Sequence, residues 1–154
     1  MKIIDIKTQD IRFPTSKDNL GTDAVHVDCD YSATYVTIFT DQKDLTGIGL
    51  TFTIGKGNDL CCTVIEYFKE FIIGKNVQEI EKDIASLWEK ITNHSQLRWV
   101  GPQKGVTHLA AAAFFNAIWD LISKFHKKPL WRYIIELETR DLSVSYTHLT
   151  LPTK

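Results

Sequence analysis

The spacing of apolar residues changes character once along this chain. Up to about residue 54 they come in short β-branched and aromatic runs, and from about residue 58 they recur every three or four positions. Lys2–Arg12 carries Ile3, Ile4, Ile6 and Ile11 and ends at Phe13-Pro14, which predicts a strand. Tyr31–Thr40 predicts a second strand, because Val, Ile, Thr and aromatic residues fit a pleated, half-buried surface. Asp41–Asp44 is a turn, and Gly47–Ile54 is a third strand broken by Gly55-Lys56-Gly57. Between the first two strands, Pro14–Asp30 has no apolar period. It holds Ser16, Asn19, Gly21 and the aspartates Asp18, Asp23, Asp28 and Asp30. A polar loop of this length inside a compact domain is uncommon and often functional.

The second half reads as helical. Cys61, Val64, Ile65, Phe68, Phe71 and Ile72 make the stripe of an amphipathic helix over about Asn58–Ile73, stopped by Gly74. Asn76 with Glu79 three residues on resembles a capping box, and Ile80, Ile84, Leu87, Trp88 and Ile91 give the face of the helix it opens. A third helix follows Pro102 and runs to about Phe125. It is apolar nearly all round, which predicts a buried central position. Pro129 is placed to open a short fourth helix. Strands followed by helices, with no room for parallel crossovers, predict an α+β fold: a three-stranded antiparallel meander on a three- to four-helix bundle.

Composition narrows the function classes. The chain has 154 residues, with 18 Lys+Arg against 19 Asp+Glu, a net charge of −1. One domain is the expectation from length. Without a basic stripe, neither nucleic acid nor a membrane surface is an expected partner. The uninterrupted apolar run Leu109–Phe115 is far short of the ~18 residues of a spanning helix. Met1–Asp5 lacks the features of a signal peptide, and Met1–Ile11 is not an Arg-rich amphipathic transit segment. Cys29, Cys61 and Cys62 form no CxxC pair, so the expectation is a soluble, intracellular protein with incidental thiols.

Candidate chemistry is sparse. The five histidines have no metal-ligand spacing, and the acidic loop does not match an EF-hand. His108, Asn116 and Asp120 lie near one another around the third helix. They read either as a ligand-and-base set or, preferably, as buried polar groups bonded at a contact with another element. Gly55-Lys56-Gly57, between a strand and a helix, reads as a tight turn rather than a phosphate cradle. The four loop aspartates are either acid–base groups or turn formers. Spacing alone goes no further than an α+β domain with one polar loop.

Specific strings go further. Asp10-Ile11-Arg12-Phe13-Pro14-Thr15-Ser16, Gly21-Thr22-Asp23-Ala24 and Asp30-Tyr31-Ser32-Ala33-Thr34-Tyr35-Val36 resemble the opening of L-fuconate dehydratases and their animal relatives. These belong to the mandelate racemase branch of the enolase superfamily. The resemblance continues through Gly49–Gly57, Ser95–Pro102, Lys104-Gly105-Val106, His108-Leu109-Ala110, Asn116-Ala117, Trp119-Asp120-Leu121 and Lys128–Trp131. It covers residues 1 to about 143, and residues 144–154 depart from it and read as a non-native tail, translated adaptor sequence.

The resemblance implies an N-terminal capping domain whose two loops close over the C-terminal end of a (β/α)-barrel. By the same resemblance, Gly21, Thr22, Asp23 and Tyr31 sit where the family holds a sugar acid such as L-fuconate, and Thr51–Gly55 is the second lid loop. Thr22 departs from relatives, which often carry Ala there. The family is a Mg²⁺-dependent hydro-lyase, and its bases and metal ligands lie in the barrel. The expectation is therefore a truncated protein without its C-terminal barrel domain, with no catalytic or metal-binding residue of its own and inactive alone. A mitochondrial location is implied only by the resemblance. The alternative is a stand-alone sugar-acid-binding or protein-interaction module, with the helix faces that meet the barrel left exposed.

Overall fold

The computed structural model describes residues 1–100 and 105–137. Three strands, β1 (Ile3–Arg12), β2 (Ser32–Thr40) and β3 (Thr46–Thr53), form an antiparallel sheet in the order β1-β2-β3. Among the described residues five α-helices follow: α1 (Asn58–Phe68), α2 (Val77–Lys82), α3 (Ile84–Thr92), α4 (Val106–Phe125) and α5 (Leu130–Ile135). This is the α+β meander-plus-bundle that the spacing predicts, and each strand begins or ends within one residue of its expected limit. Residues 138–154, which include the proposed tail, and residues 101–104, which include Pro102 and Lys104, lie outside the described residues.

Two helices differ from expectation. The first ends its α-turns at Phe68 and tightens into a 3-10 turn, Lys69–Phe71, before Gly74 takes φ +80°. The 76–91 segment is two helices, because Asp83 leaves helical geometry at φ −116°, ψ 21°. Asn76 and Glu79 do open it: the Glu79 carboxylate accepts the Asn76 backbone N–H at 3.1 Å and its side-chain amide at 3.1 Å.

The helices cover one face of the sheet, and α4 is the centre of the core. Ala110, Ala111, Ala113, Phe114, Ala117, Ile118, Leu121 and Ile122 are buried, with Phe68 edge-on to Phe114 at 5.4 Å. By length and composition α4 could cross a membrane, since a spanning helix tolerates scattered polar residues and needs no unbroken run. Here most of it is buried within the fold. Helix and strand meet closely at β3. A methyl at Gly47 would lie 2.2 Å from the Ala117 carbonyl oxygen, and one at Gly49 2.2 Å from that of Ala113. Only residues without side chains allow this approach.

The close approach has two results. The polar side chains of α4 reach the free edge of β3. Asp120 accepts the Ile48 N–H at 2.7 Å, Asn116 donates to the Leu50 carbonyl at 3.2 Å, and Lys124 donates to that of Thr46 at 3.1 Å. Three of the edge strand's unpaired backbone groups are thereby satisfied. Second, Gly47, Gly49, Thr51 and Thr53 take the buried side of β3, which leaves Ile48, Leu50 and Phe52 on the open side.

Candidate functional site

Gly21, Thr22, Asp23 and Tyr31 lie in the loop at one end of the sheet, where β1 ends, β2 begins and β3 ends. The loop of residues 13–31 is a built structure, although it has no apolar period. Thr15–Asp18 forms a 3-10 turn. The Thr15 hydroxyl donates to the Cys29 carbonyl at 2.8 Å and accepts the Tyr31 N–H at 3.0 Å, which ties the start of the loop to its end. Asp30 accepts both the hydroxyl of Ser16 at 2.6 Å and its N–H at 3.1 Å. The Ser16 hydroxyl, more than the N–H, holds the Asp30 carboxyl below its ordinary value. A carboxylate receiving such bonds is favoured in its charged form.

Tyr31 links this loop to the sheet. Its hydroxyl donates to the Gly21 carbonyl at 2.7 Å, and its ring sits 5.4 Å from that of Phe52 in a tilted pair. Gly21 has φ +73°, and a methyl there would lie 2.0 Å from the Tyr31 ring. The positive φ favours glycine at this position, and an added methyl would push the Tyr31 ring aside. The Thr22 hydroxyl donates back to the Asn19 carbonyl at 3.1 Å.

Asp23 is engaged within the loop. One carboxylate oxygen accepts the backbone N–H groups of Val25 and His26, each at 2.7 Å, and the His26 ring nitrogen lies 3.2 Å from both oxygens. This is an aspartate organising a turn. The His26 N–H, then that of Val25, holds its carboxyl below the ordinary range. Gly21, Thr22, Asp23 and Tyr31 therefore share one hydrogen-bonded loop. Gly21 and Tyr31 touch, while Thr22 and Asp23 bond to their own neighbours in sequence.

Of the expected second lid segment Thr51–Gly55, Thr51–Thr53 close strand β3, and only Ile54 and Gly55 fall in a loop, residues 54–57, which is joined to the first. The Asp30 N–H donates to the Ile54 carbonyl at 3.1 Å, and a methyl at Gly55 would lie 3.0 Å from the Asp30 Cβ. Gly55 at φ +113° and Gly57 at φ +98° make the left-handed turn that leads into α1. Composition alone did not single out Asn58, whose side chain is fully buried. Its amide donates to Asp10 at 2.9 Å and to the Ile11 carbonyl at 3.3 Å, and its oxygen accepts from Thr53. Thr53 in turn accepts the Gly55 N–H at 3.2 Å. The signal available in the sequence was an amide directly after a Gly-x-Gly break. Arg12 clamps Asp10 at 2.7 Å and 2.9 Å and, foremost among several groups, lowers that carboxyl.

The other candidates fall elsewhere. Asn116 and Asp120 bond to the β3 edge, as the preferred reading has it, but Asn116 is exposed and Asp120 only partly buried, and the buried Nδ1 of His108 has no hydrogen-bond partner among the described residues. His108 lies edge-on to Trp88 at 6.2 Å, and burial pushes its imidazole down. Cys29 and Cys61 are buried, and burial raises all three thiols. Among the described residues no group of three or more His, Cys, Asp or Glu side chains is placed to hold a metal ion.

Residues 22–134 match the mandelate racemase / muconate lactonizing enzyme, N-terminal domain family. The chain belongs to this family. This mandelate racemase-type N-terminal domain is 44% identical over 142 residues to the mitochondrial enolase superfamily member 1 of Xenopus laevis, covering 92% of the chain and 32% of that protein. It is 44% identical over 139 residues to the L-galactonate dehydratase of Hypocrea jecorina, covering 90% of the chain and 31% of that protein. The crystal structure of human mitochondrial enolase superfamily member 1 superposes with a TM-score of 0.87 at 41% identity, covering 93% of this chain and 33% of that one. An L-talarate dehydratase from Polaromonas, complexed with Mg and L-glucarate, matches with a TM-score of 0.64 at 20% identity over 89% of this chain and 33% of its own, a likeness of fold alone. The chain spans about a third of the length of these relatives.

Proposed function

We propose that this domain is the lid of a Mg²⁺-dependent sugar-acid dehydratase and that its two loops form the wall of the substrate site. The observation that carries this reading is the convergence of the 13–31 and 54–57 loops at one sheet end, joined through Asp30, Ile54 and Gly55. The 44% identity to an L-galactonate dehydratase supports the substrate class. L-Fuconate is 6-deoxy-L-galactonate, so the two acids share the stereochemistry that a lid would read and differ by one hydroxyl. Gly21 and Thr22 offer backbone close to a sugar, Tyr31 offers a ring face and a phenol, and Asp23 keeps one oxygen clear of backbone bonds.

On this reading the chemical step belongs to a barrel domain. The purified chain, incubated with Mg²⁺ and either L-fuconate or L-galactonate, gives no 2-keto-3-deoxy acid. Turnover by the chain alone would sink this part of the proposal. The lid role is tested in a chimera in which residues 1–137 replace the matching third of the Hypocrea enzyme. Gly21→Ala displaces Tyr31 and raises KM several-fold, with a smaller change in kcat. An unchanged KM refutes the placement of the loop at the substrate.

A further inference from the structure

Asn58 bonds to all three strands of the sheet. Its side-chain amide donates to Asp10 and to the Ile11 carbonyl on β1, and its side-chain oxygen accepts from Thr53 at the end of β3. Its backbone carbonyl accepts the hydroxyl of Thr34 on β2 at 3.1 Å. Asn58, Thr34 and Thr53 are all buried. Both donors of the Asn58 amide and its oxygen are thus in use. Apolar groups of the same shape would stabilise such a site about as well. What a fully satisfied polar network adds is one defined geometry.

That geometry is passed on to both loops. Asn58 directly follows the 54–57 turn, and its partner Thr53 accepts the Gly55 N–H at 3.2 Å. The Ile54 carbonyl then takes the Asp30 N–H. Asp30 holds Ser16, near the start of the first loop, through its carboxylate. Its carbonyl accepts the hydroxyl of Ser32, the first residue of β2, at 2.7 Å. On the β1 side, Asp10 is clamped by Arg12, where the first loop opens, and the same guanidinium reaches Asp59 at 3.4 Å. We infer that Asn58 is the positioning residue of the lid: it fixes the 54–57 loop against the base of the 13–31 loop, so that the two walls of the substrate site order as one. Its bearing on substrate rests on the lid reading, whereas the coupling of the two loops stands on the hydrogen bonds alone.

Amide hydrogen exchange of the 154-residue chain reads the coupling, because local openings are seen separately from global unfolding. The Arg12 guanidinium holds the Asp10 carboxyl below its ordinary value. Asn58→Asp therefore sets a second carboxylate against a charged one and removes both donors. Exchange of the Gly55, Asp30, Ser16 and Tyr31 amides quickens about tenfold, as loss of one charge-assisted hydrogen bond dictates, while the Ile118 and Leu121 amides inside α4 change less. Thr53→Val cuts the relay between Asn58 and Gly55 with little change of shape. It gives the same pattern in weaker form, and it decides the question if Asn58→Asp does not fold. Adding Asp10→Asn to Asn58→Asp rebuilds the pair with donor and acceptor exchanged, and slows those amides again.

A response confined to Gly55, a response no larger than that of Ile118 and Leu121, or a double variant that exchanges as fast as Asn58→Asp overturns the inference. The functional half is read in the chimera carrying residues 1–137. There Asn58→Asp raises KM several-fold with a smaller change in kcat, as Gly21→Ala does. KM raised by Gly21→Ala but not by Asn58→Asp overturns the positioning role and leaves the lid reading intact. KM unmoved by either variant overturns the lid reading and, with it, the assignment of Asn58 to substrate positioning.

Discussion

Replacing Gly49 by Ala tests the closest contact in the fold. The added methyl would lie 2.2 Å from the Ala113 carbonyl oxygen, 2.4 Å from the Ala117 nitrogen and 3.0 Å from the Asn116 carbonyl carbon. All three atoms are helix backbone, so no side chain can rotate away. Reaching a tolerable carbon–oxygen separation of about 3.3 Å requires α4 to move off β3 by about 1 Å. Overpacking of this kind costs about 1–3 kcal/mol. The same movement carries the 2.7 Å Asp120–Ile48 bond and the 3.2 Å Asn116–Leu50 bond beyond useful length. Their loss adds about 1 kcal/mol each, with solvent partly replacing them. Against this, Ala narrows the unfolded ensemble and returns about 0.4–1 kcal/mol, because Gly49 does not need a positive φ.

The net expectation is a destabilisation of about 2–4 kcal/mol, a large share of a typical domain's total. Urea unfolding followed by tryptophan fluorescence reads it as a midpoint lowered by roughly 1–2 M. Gly57→Ala is the control. Its methyl meets nothing within 4 Å and carries only the cost of φ +98°, about 1 kcal/mol. If Gly49→Ala is as stable as the wild type, or no worse than Gly57→Ala, the account of α4 seated on β3 is wrong.

Other outcomes follow from the same geometry. Asp120→Ala leaves the Ile48 N–H without its acceptor and lowers stability by about 1 kcal/mol, since an edge group regains some water; an unchanged urea midpoint would argue that the bond contributes nothing. Tyr31→Phe removes the bond to the Gly21 carbonyl, so amides of residues 19–26 exchange faster while the global midpoint barely moves, and unaltered exchange contradicts the assigned latch. Asp30 has a folded pKa below its unfolded value of about 3.9. Its contribution is therefore complete above that unfolded value and is lost as pH falls through the lower folded one. Carboxyl chemical shifts followed between pH 6 and 2 should place its midpoint below that of an exposed aspartate, and Ser16→Ala should raise it. A midpoint at or above the ordinary value refutes the Ser16 bond.

Much of the fold was readable from the chain because local physics decides it. β-Branched runs and turn residues delimited the strands, and Asn76 with Glu79 announced a helix start. The 3.6-residue stripes located the helices. The break at Asp83 was not readable, because Val77, Ile80, Ile84, Leu87 and Ile91 keep one spacing through it. At the candidate site the strings around Gly21–Asp23 and Tyr31 marked out one loop, and the structure ties its Gly21 and Tyr31 together. Asn58 and Asp30 were not legible as its supports, since their partners Asp10, Ile54 and Ser16 are distant in sequence.

The division between sequence and structure is clearest at β3. Period-two alternation by itself determined that Ile48, Leu50 and Phe52 share a face, since successive strand residues point to opposite sides. It could not determine which face meets the core. That was settled by α4, whose backbone comes so close that only Gly47 and Gly49 fit beneath it, which turns the apolar row outward. The same contact made Asn116 and Asp120, a polar stripe that the chain alone left open to two readings, the caps of a sheet edge some seventy residues away. Local periodicity sets which side chains travel together, and only the packing of distant backbones decides what they meet.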